Sequence, residues 1–547
     1  MAINPLADAT AYQMLARSAR EHAHREAIVF GDERITFDGF RARADAFARG
    51  LAALGLGKGD ALAIWLPNRP LWYVAQYAAA RLGVVVVALN PRYRASELAY
   101  ILRQSDAAAL LITDHLGPVD YFEILHDVLP ELRAAVPGEL DSPGFPHLRH
   151  VLVDADDPYP GCLRVADMID AGAEDTAPIV RPDDVFTLLY TSGTTSFPKG
   201  AMITHRNCVP HAWNTGVQLR MTPHDRVLHA LPAAGTWGGV NIPLTTWSHG
   251  ACLVLMETYD PLHALSLIER ERCTIWNAVD SMVMPMLVHP DLDRYDRSTL
   301  RTGGIAVVGG GGHGLFEDVV KRIGIPLAYQ PYGMTEVNAM AMFHDLDEPL
   351  EVRALPGVIP APGLEVRVVN PETGAVGASG EEGELQFRGT LVTPGYYGKP
   401  EETAAAFTAD GWFRSGDLGV RDAAGRTIFK GRLREVLRIS HHMVAPGEIE
   451  AFLMSHPDVA QAFIVGIPDA ARNEAPVAYV IRRPGSGVTD EQLRAFCRGR
   501  IASFKIPRAV RFVDDVPRTP SPHGDKVQRG KLRERALRDF TAEEPAR

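Results

Sequence analysis

Residues Tyr190 to Gly200 read YTSGTTSFPKG, directly after the apolar run VFTLL. Two hydroxyl pairs, two glycines and one lysine share a loop that follows a buried-looking strand. Such a loop can wrap a polyphosphate: glycine lets the backbone approach, Ser and Thr hydroxyls donate, and lysine neutralises charge. The order differs from G-x-x-x-x-G-K-[ST], so this is not a Walker loop. Composition alone would also fit an ordinary surface turn.

Working outward, strand-like and helical patterns alternate. RARADAFARGLAAL (Arg41 to Leu54) has helical spacing, and Gly55 to Gly59 ends it. ALAIWLP reads as a strand, Trp72 to Leu82 as a helix, and GVVVVALNP as a strand again. LLITD, HVLVD, DRVLHALP, ACLVLM and GIAVVGG extend the series. Continuous apolar runs imply strands buried on both faces, as in parallel α/β sheets. Asp141 to Pro160 is rich in Pro and Asp and reads as a surface loop. From Gly363, LEVRVVN, PETGAVG, GELQFRG and TIFKGR predict short strands joined by glycine turns. After Arg434 a compact α+β pattern begins with GEIEAFLMSH, VAQAFIVGIPD, APVAYVIRR and TDEQLRAFCRGRI. The expected division is 1–433 and 434–547, with the main boundary near Arg434.

Composition excludes several classes. Sixty-seven acidic against 56 basic residues leave −11, the wrong sign for the basic footprint of a nucleic-acid binder. The basic stretch Lys526 to Arg538 reads as a solvated helix. Cys162, Cys208, Cys252, Cys273 and Cys497 are scattered, without a C-x-x-C pair, which argues against a disulfide framework or structural zinc. MAINPLADATAYQML has no signal-peptide pattern, and Leu82 to Leu89 is too short for a membrane span. The expected compartment is the cytoplasm.

In its residue order, YTSGTTSFPKG resembles the phosphate loop of the adenylate-forming superfamily, which holds acyl- and aryl-CoA synthetases, peptide-synthetase adenylation domains and beetle luciferase. Ser196 stands where the family usually has glycine. ITFDGFRARADAFARGLAALGLGKGD, YGMTE (Tyr332 to Glu336), GELQFRGTLVTPGYY, GWFRSGDLG (Gly411 to Gly419), KGR (Lys430 to Arg432) and FKIPRAV follow in family order. The resemblance is nearest to acyl-CoA synthetases. It implies an α/β fold: a large N-terminal body of two α/β sheet subdomains plus a β-rich subdomain, with a small mobile α+β C-terminal domain.

The resemblance also implies the chemistry. A carboxylate attacks the α-phosphate of Mg-ATP, pyrophosphate leaves, and a thiol, usually CoA, attacks the acyl-adenylate. Thr191, Ser192, Gly193, Thr194, Thr195 and Lys199 would hold the β/γ phosphates. Thr335 would touch the α-phosphate, and Glu336 would coordinate Mg2+, a hard cation suited to carboxylate. Tyr332 would pack on adenine beside Gly333 and Met334, and Asp417 with Arg432 would hold the ribose hydroxyls. GGGG (Gly309 to Gly312), including Gly310 and Gly311, lies where the family lines the nucleotide and acyl pockets. The catalytic lysine corresponds to Lys526 in PRTPSPHGDKVQRGKLR, with Lys531 as the alternative.

Two regions depart from the family. Ser440-His441 stand where two glycines flank the pantetheine channel. A tolerated variant with the full CoA-ligase reaction competes there with an enzyme whose thioester step belongs to a partner protein, or with loading of a carrier protein. In LPAAGTWGG, Gly235 occupies a usually bulky position beside Trp237 and Gly238, and Asp280 replaces a common proline. Small residues here point to a bulky hydrophobic acid, or simply to close backbone packing. A non-catalytic ligand-binding relative and a luciferase-like oxygenase remain as other classes.

Overall fold

The computed structural model describes residues 4–170, 178–191, 198–307, 313–439, 442–469, 473–519 and 526–541. Among these, one sheet has seven strands, ordered Lys199–Thr204, Val185–Thr191, Val85–Ala88, Ala61–Trp65, Ala107–Thr113, His150–Asp154 and Cys162–Arg164. All neighbours are parallel except the first pair, in which Thr191 faces Lys199. Ala61–Trp65 and Ala107–Thr113 are buried at every position. That explains their unbroken apolar character: helices cover both faces.

A second sheet runs Ala278–Val279, Thr302–Ala306, Ile275–Trp276, Arg226–His229, Cys252–Leu255, Glu26–Phe30 and Glu33–Thr36, with Leu327–Tyr329 pairing Thr302–Ala306. Between the sheets, Trp247 packs against Phe40, Tyr73 and Tyr77 with ring centroids 4.8, 5.2 and 5.5 Å away. Rings of this size dominate core burial, and tilted or edge-on contact is their favoured geometry. The β-rich region is a four-stranded antiparallel sheet, Leu364–Val369, Glu382–Gly389, Phe413–Arg421 and Thr427–Arg432. Residues from Leu437 onward build a five-stranded sheet with helices Pro446–Met454, Asp490–Cys497 and Arg529–Thr541.

Three local expectations need correction. Asp141 to Pro160 is not one loop: HVLVD, read as strand-like, is His150–Asp154, a largely buried strand of the first sheet that interrupts it. PETGAVG is a turn, touching the sheet only through the bridge between Val369 and Val376. The basic tail is not merely solvated. Lys526–Val527 is a short strand, and the helix after it buries Leu532, Ala536 and Phe540, one face at i, i+4 spacing.

That last helix is tied to the chain near residue 435. Buried Glu450 takes Arg529 Nη1 at 2.6 Å, while Arg529 Nε lies 2.9 Å from Glu435. Glu448 in turn sits between Lys430, 3.5 Å away on the β-rich sheet, and Lys505. No helix among the described residues is long and apolar enough to cross a membrane.

Candidate active site

Strands of the second sheet release three loops from their carboxyl ends, the usual crevice for ligands in parallel α/β sheets. Arg226–His229 leads to Leu231–Asn241, Thr302–Ala306 to the run of glycines, and Leu327–Tyr329 to Tyr332–Glu336. The first loop is pinned from the helix Pro70–Leu82 and from Asn68, two residues before it. Asn68 bonds both Leu231 O and Ala233 N, the Tyr73 hydroxyl donates to Gly238 O at 3.3 Å, and Gln76 donates to Gly239 O at 3.1 Å. The loop ends in a π-helical turn, Thr236–Asn241. Such turns are rare and often lie at functional sites.

The Tyr332–Glu336 loop folds back on itself. A Cβ on Gly333 would fall 1.0 Å from Ala339 O, so only glycine fits. Asn338 and Ala339 hold φ of +61° and +65°. The left-handed region costs an L-residue about 1–2 kcal/mol, so the surrounding packing must impose this turn. Residues 393–397 then stitch the loop to the strand that starts at Lys199. Thr393 N donates to Glu336 O, the Thr393 hydroxyl to Met202 O, Met202 N to Gly395 O, and Tyr397 N to Gly200 O.

At one end of the site stands Asp417, 2% exposed. It faces Arg432 in cross-strand register, with Nη1 2.9 Å from Oδ1, and accepts the Tyr332 hydroxyl at 2.6 Å on Oδ2. Oδ1 accepts no well-aligned hydrogen bond, so acceptor capacity is left for a diol. Burial pushes the Asp417 carboxyl up to about 6, against the lowering pull of Arg432 and the Tyr332 hydroxyl. The Tyr332 ring lies between Phe387 and Phe429 and is 6% exposed. Only a narrow strip of it is open to an adenine, and its hydroxyl is committed to Asp417.

At the other end, Glu336 accepts the Tyr396 hydroxyl at 3.0 Å, and Lys199 Nζ lies over the Tyr396 ring, 4.8 Å from its centroid. Tyr396 belongs to the quoted string TPGYY but carried no predicted role. Its signal is tertiary, since it joins residues 60 and almost 200 positions away. Thr335 accepts a hydrogen bond from Thr236 at 2.8 Å, another partner that motif reading missed. Among the described residues no cluster of three His, Cys, Asp or Glu could cage a metal. A lone buried carboxylate still fits Mg2+, which commonly takes one or two carboxylates and completes its shell with phosphate and water.

Thr191 and Lys199 are brought face to face. Ser192, Gly193, Thr194, Thr195, Gly309, Gly310, Gly311, Ser440 and His441 lie outside the described residues, as does the Lys526 side chain. The Lys526 backbone pairs with Thr519, and Lys531 occupies the exposed face of the last helix. Met334 is half-buried beside Gly333, and Asp280 begins the helix after Ala278–Val279. Trp237 and Gly235 are buried. Gly238 leaves no open space, because a Cβ there would meet Pro232 O at 2.3 Å and Leu231 O at 2.8 Å. Its smallness reflects close backbone packing.

Comparison with known proteins extends over nearly the whole chain. Residues 15–397 match the model of the AMP-binding enzymes, and residues 448–522 match that of the AMP-binding enzyme C-terminal domain. YngI of Bacillus subtilis strain 168, named as an acyl-CoA synthetase, is 36% identical over 98% of both chains. The human medium-chain acyl-CoA ligase ACSF2 is 32% identical, covering 97% of this chain and 88% of its own. Among solved structures, ATP-bound MatB from Rhodopseudomonas palustris superposes with a TM-score of 0.82 at 28% identity, covering 97% of this chain and all of that one. The anthranilate CoA ligase AuaEII with anthranoyl-AMP gives 0.84 at 25% identity, covering 97% of each.

Proposed function

This chain belongs to the AMP-binding enzyme family and is an AMP-forming acid–thiol ligase of the acyl-CoA synthetase kind, and from that premise we propose how its own residues divide the work. ATP is bound by its two ends. The Asp417 carboxylate accepts the ribose hydroxyls, with Arg432 and Tyr332 holding it in place. Lys199, Thr191 and the loop Ser192–Thr195 take the β/γ phosphates. The observation that carries this reading is that one short segment, Tyr332–Glu336, bonds Asp417 through Tyr332 and the Tyr396 hydroxyl beneath Lys199 through Glu336, with Thr335 between them in sequence.

Glu336 would hold Mg2+, which supplies charge neutralisation at the phosphates. The Thr335 hydroxyl donates to the α-phosphate, where negative charge builds as the carboxylate of the acid attacks. Lys526 brings a second positive charge to the same oxygens. The chain then works as two parts, 1–433 and 434–547, hinged near Arg434, the second part delivering Lys526 and withdrawing it before thioester formation.

The acid we propose is hydrophobic and bulky, entering beside Gly235 and Trp237 with Asp280 near its far end. ACSF2 is named for medium-chain acyl groups and AuaEII for anthranilate, so the relatives span both chain and ring. CoA is the acceptor in this reading, and the scattered buried thiols favour the cytoplasm as its compartment. Ser440-His441, in place of two glycines, favours a second reading in which a partner protein completes the thioester.

The test is pyrophosphate release with Mg-ATP and a panel of acids, with and without CoA, with products identified by mass. Acyl-CoA is the expected product. Acyl-adenylate accumulating in the presence of CoA would move the second step to another protein. In the same assay Lys526→Ala should abolish adenylate formation while ATP still binds; full activity would transfer the role to Lys531.

A further inference from the structure

We propose that Thr236 is a positioning residue for adenylate formation, acting through Thr335; this rests on the α-phosphate role given to Thr335 above. A threonine hydroxyl has one hydrogen to donate and two lone pairs to accept with. Thr236 is buried and has no other acceptor among the described residues, so its hydrogen goes to Thr335 Oγ1 at 2.8 Å, which spends a lone pair there and leaves the Thr335 hydrogen unused. Among the described residues that hydrogen has no acceptor. The Thr335 hydroxyl is therefore a donor whose oxygen is anchored from behind and whose hydrogen points elsewhere. Accepting one hydrogen bond also strengthens a hydroxyl as a donor, since chains of hydrogen bonds polarise one another.

Both hydroxyls stand on fixed backbone. Thr236 is 2% exposed, so solvent cannot readily replace it, and its π-helical turn is held by Tyr73 and Gln76. Thr335 is held by the constrained turn through Asn338 and Ala339. β-branching restricts χ1 in each. A donor prepared in this way pays little reorganisation when charge develops on a phosphate oxygen. The bond also joins the loop carrying Gly235 and Trp237 to the loop carrying Glu336, so the acid side and the nucleotide side share one hydrogen bond.

The test uses the full chain and acid-dependent pyrophosphate release. Thr236→Val keeps the shape and removes the donor; kcat should fall about ten-fold, as loss of one hydrogen bond allows. KM for ATP should stay within about two-fold. Thr236→Ser should restore most of the loss. In a Thr335→Val background, Thr236→Val should add almost nothing, because the two act as one unit. Full kcat in Thr236→Val beside a crippled Thr335→Val overturns the inference and leaves the site reading intact. So does a Thr236→Ser variant as slow as Thr236→Val at an unchanged melting temperature, which also covers a valine variant that fails to fold. If Thr335→Val itself costs nothing, the α-phosphate role of Thr335 falls, and this inference with it.

Discussion

The two ends of the crevice are built by different means. Asp417 and Arg432 are cross-strand partners in one antiparallel sheet, joined by a short turn. Lys199, Glu336 and Tyr396 come from three distant segments, held together by bonds through Thr393, Gly395 and Tyr397. A contact fixed by strand register is a local property, and removing one side chain leaves the other in place. A contact fixed by stitching is collective, so a change in one segment is felt by the rest.

Substitution should separate the two ends. The largest effect belongs to Glu336→Gln, which should lower acid-dependent pyrophosphate release by about 10²-fold and leave adenosine affinity, measured by calorimetry, unchanged. Loss of adenosine binding would mean that the ends are not independent. Next comes Asp417→Ala, which should weaken adenosine and ATP binding by roughly 10- to 100-fold, the range for hydrogen bonds to a charged group. An unchanged Kd would remove Asp417 from ribose recognition.

Because burial raises this carboxyl to about 6, its acceptor form predominates above that pH. Adenosine affinity should be constant above about pH 6 and fall as the pH drops below it, by up to about ten-fold per unit. Asp417→Asn should flatten the profile, and a slope that survives the substitution would assign the titration to another group. The smallest effect is that of Tyr396→Phe, which keeps the ring under Lys199 and removes the hydroxyl on Glu336. The Mg2+ concentration for half-maximal rate should shift about five-fold, the scale of one neutral hydrogen bond. A shift in ATP KM at saturating Mg2+ would instead place Tyr396 on the lysine side.

Much of this architecture is legible in the sequence, for identifiable reasons. Doubly buried strands leave unbroken apolar runs, so Ala61–Trp65 and Ala107–Thr113 stand out. His150–Asp154 stands out as HVLVD for the same reason, and only the prolines and aspartates on either side of it belong to loop. The helix over Arg529–Thr541 hides its buried stripe in a basic background, although Leu532, Ala536 and Phe540 are spaced for one face. At the site, motif strings bring Tyr332, Asp417 and Arg432 onto one list, and the fold brings them into contact. Thr236 and Tyr396 escape because their partners are fixed by tertiary packing, and no local period announces it. Gly238 shows the converse difficulty: a glycine in a sequence cannot say whether the space above it is open or filled by a neighbouring carbonyl.

The ion pairs of Arg432 and Arg529 also set the kinematics of any domain rotation. Asp417 clamps Arg432 to the four-stranded sheet, and Arg529 clamps Glu435 to the last helix. Between those two rivets lie only Leu433 and Arg434, in a 3-10 turn closed by Val436 N on Arg432 O, with two soft backbone dihedrals apiece. In the proposed rotation, so short a spindle would permit few trajectories and act as a crank, unlike a tether. In the proposed rotation of 434–547, the strut from Lys430 to Glu448 would have to let go at the start of the stroke. One end of the spindle braces Asp417, so under the proposed ribose role a bound nucleotide would stiffen the bearing on which 434–547 turns.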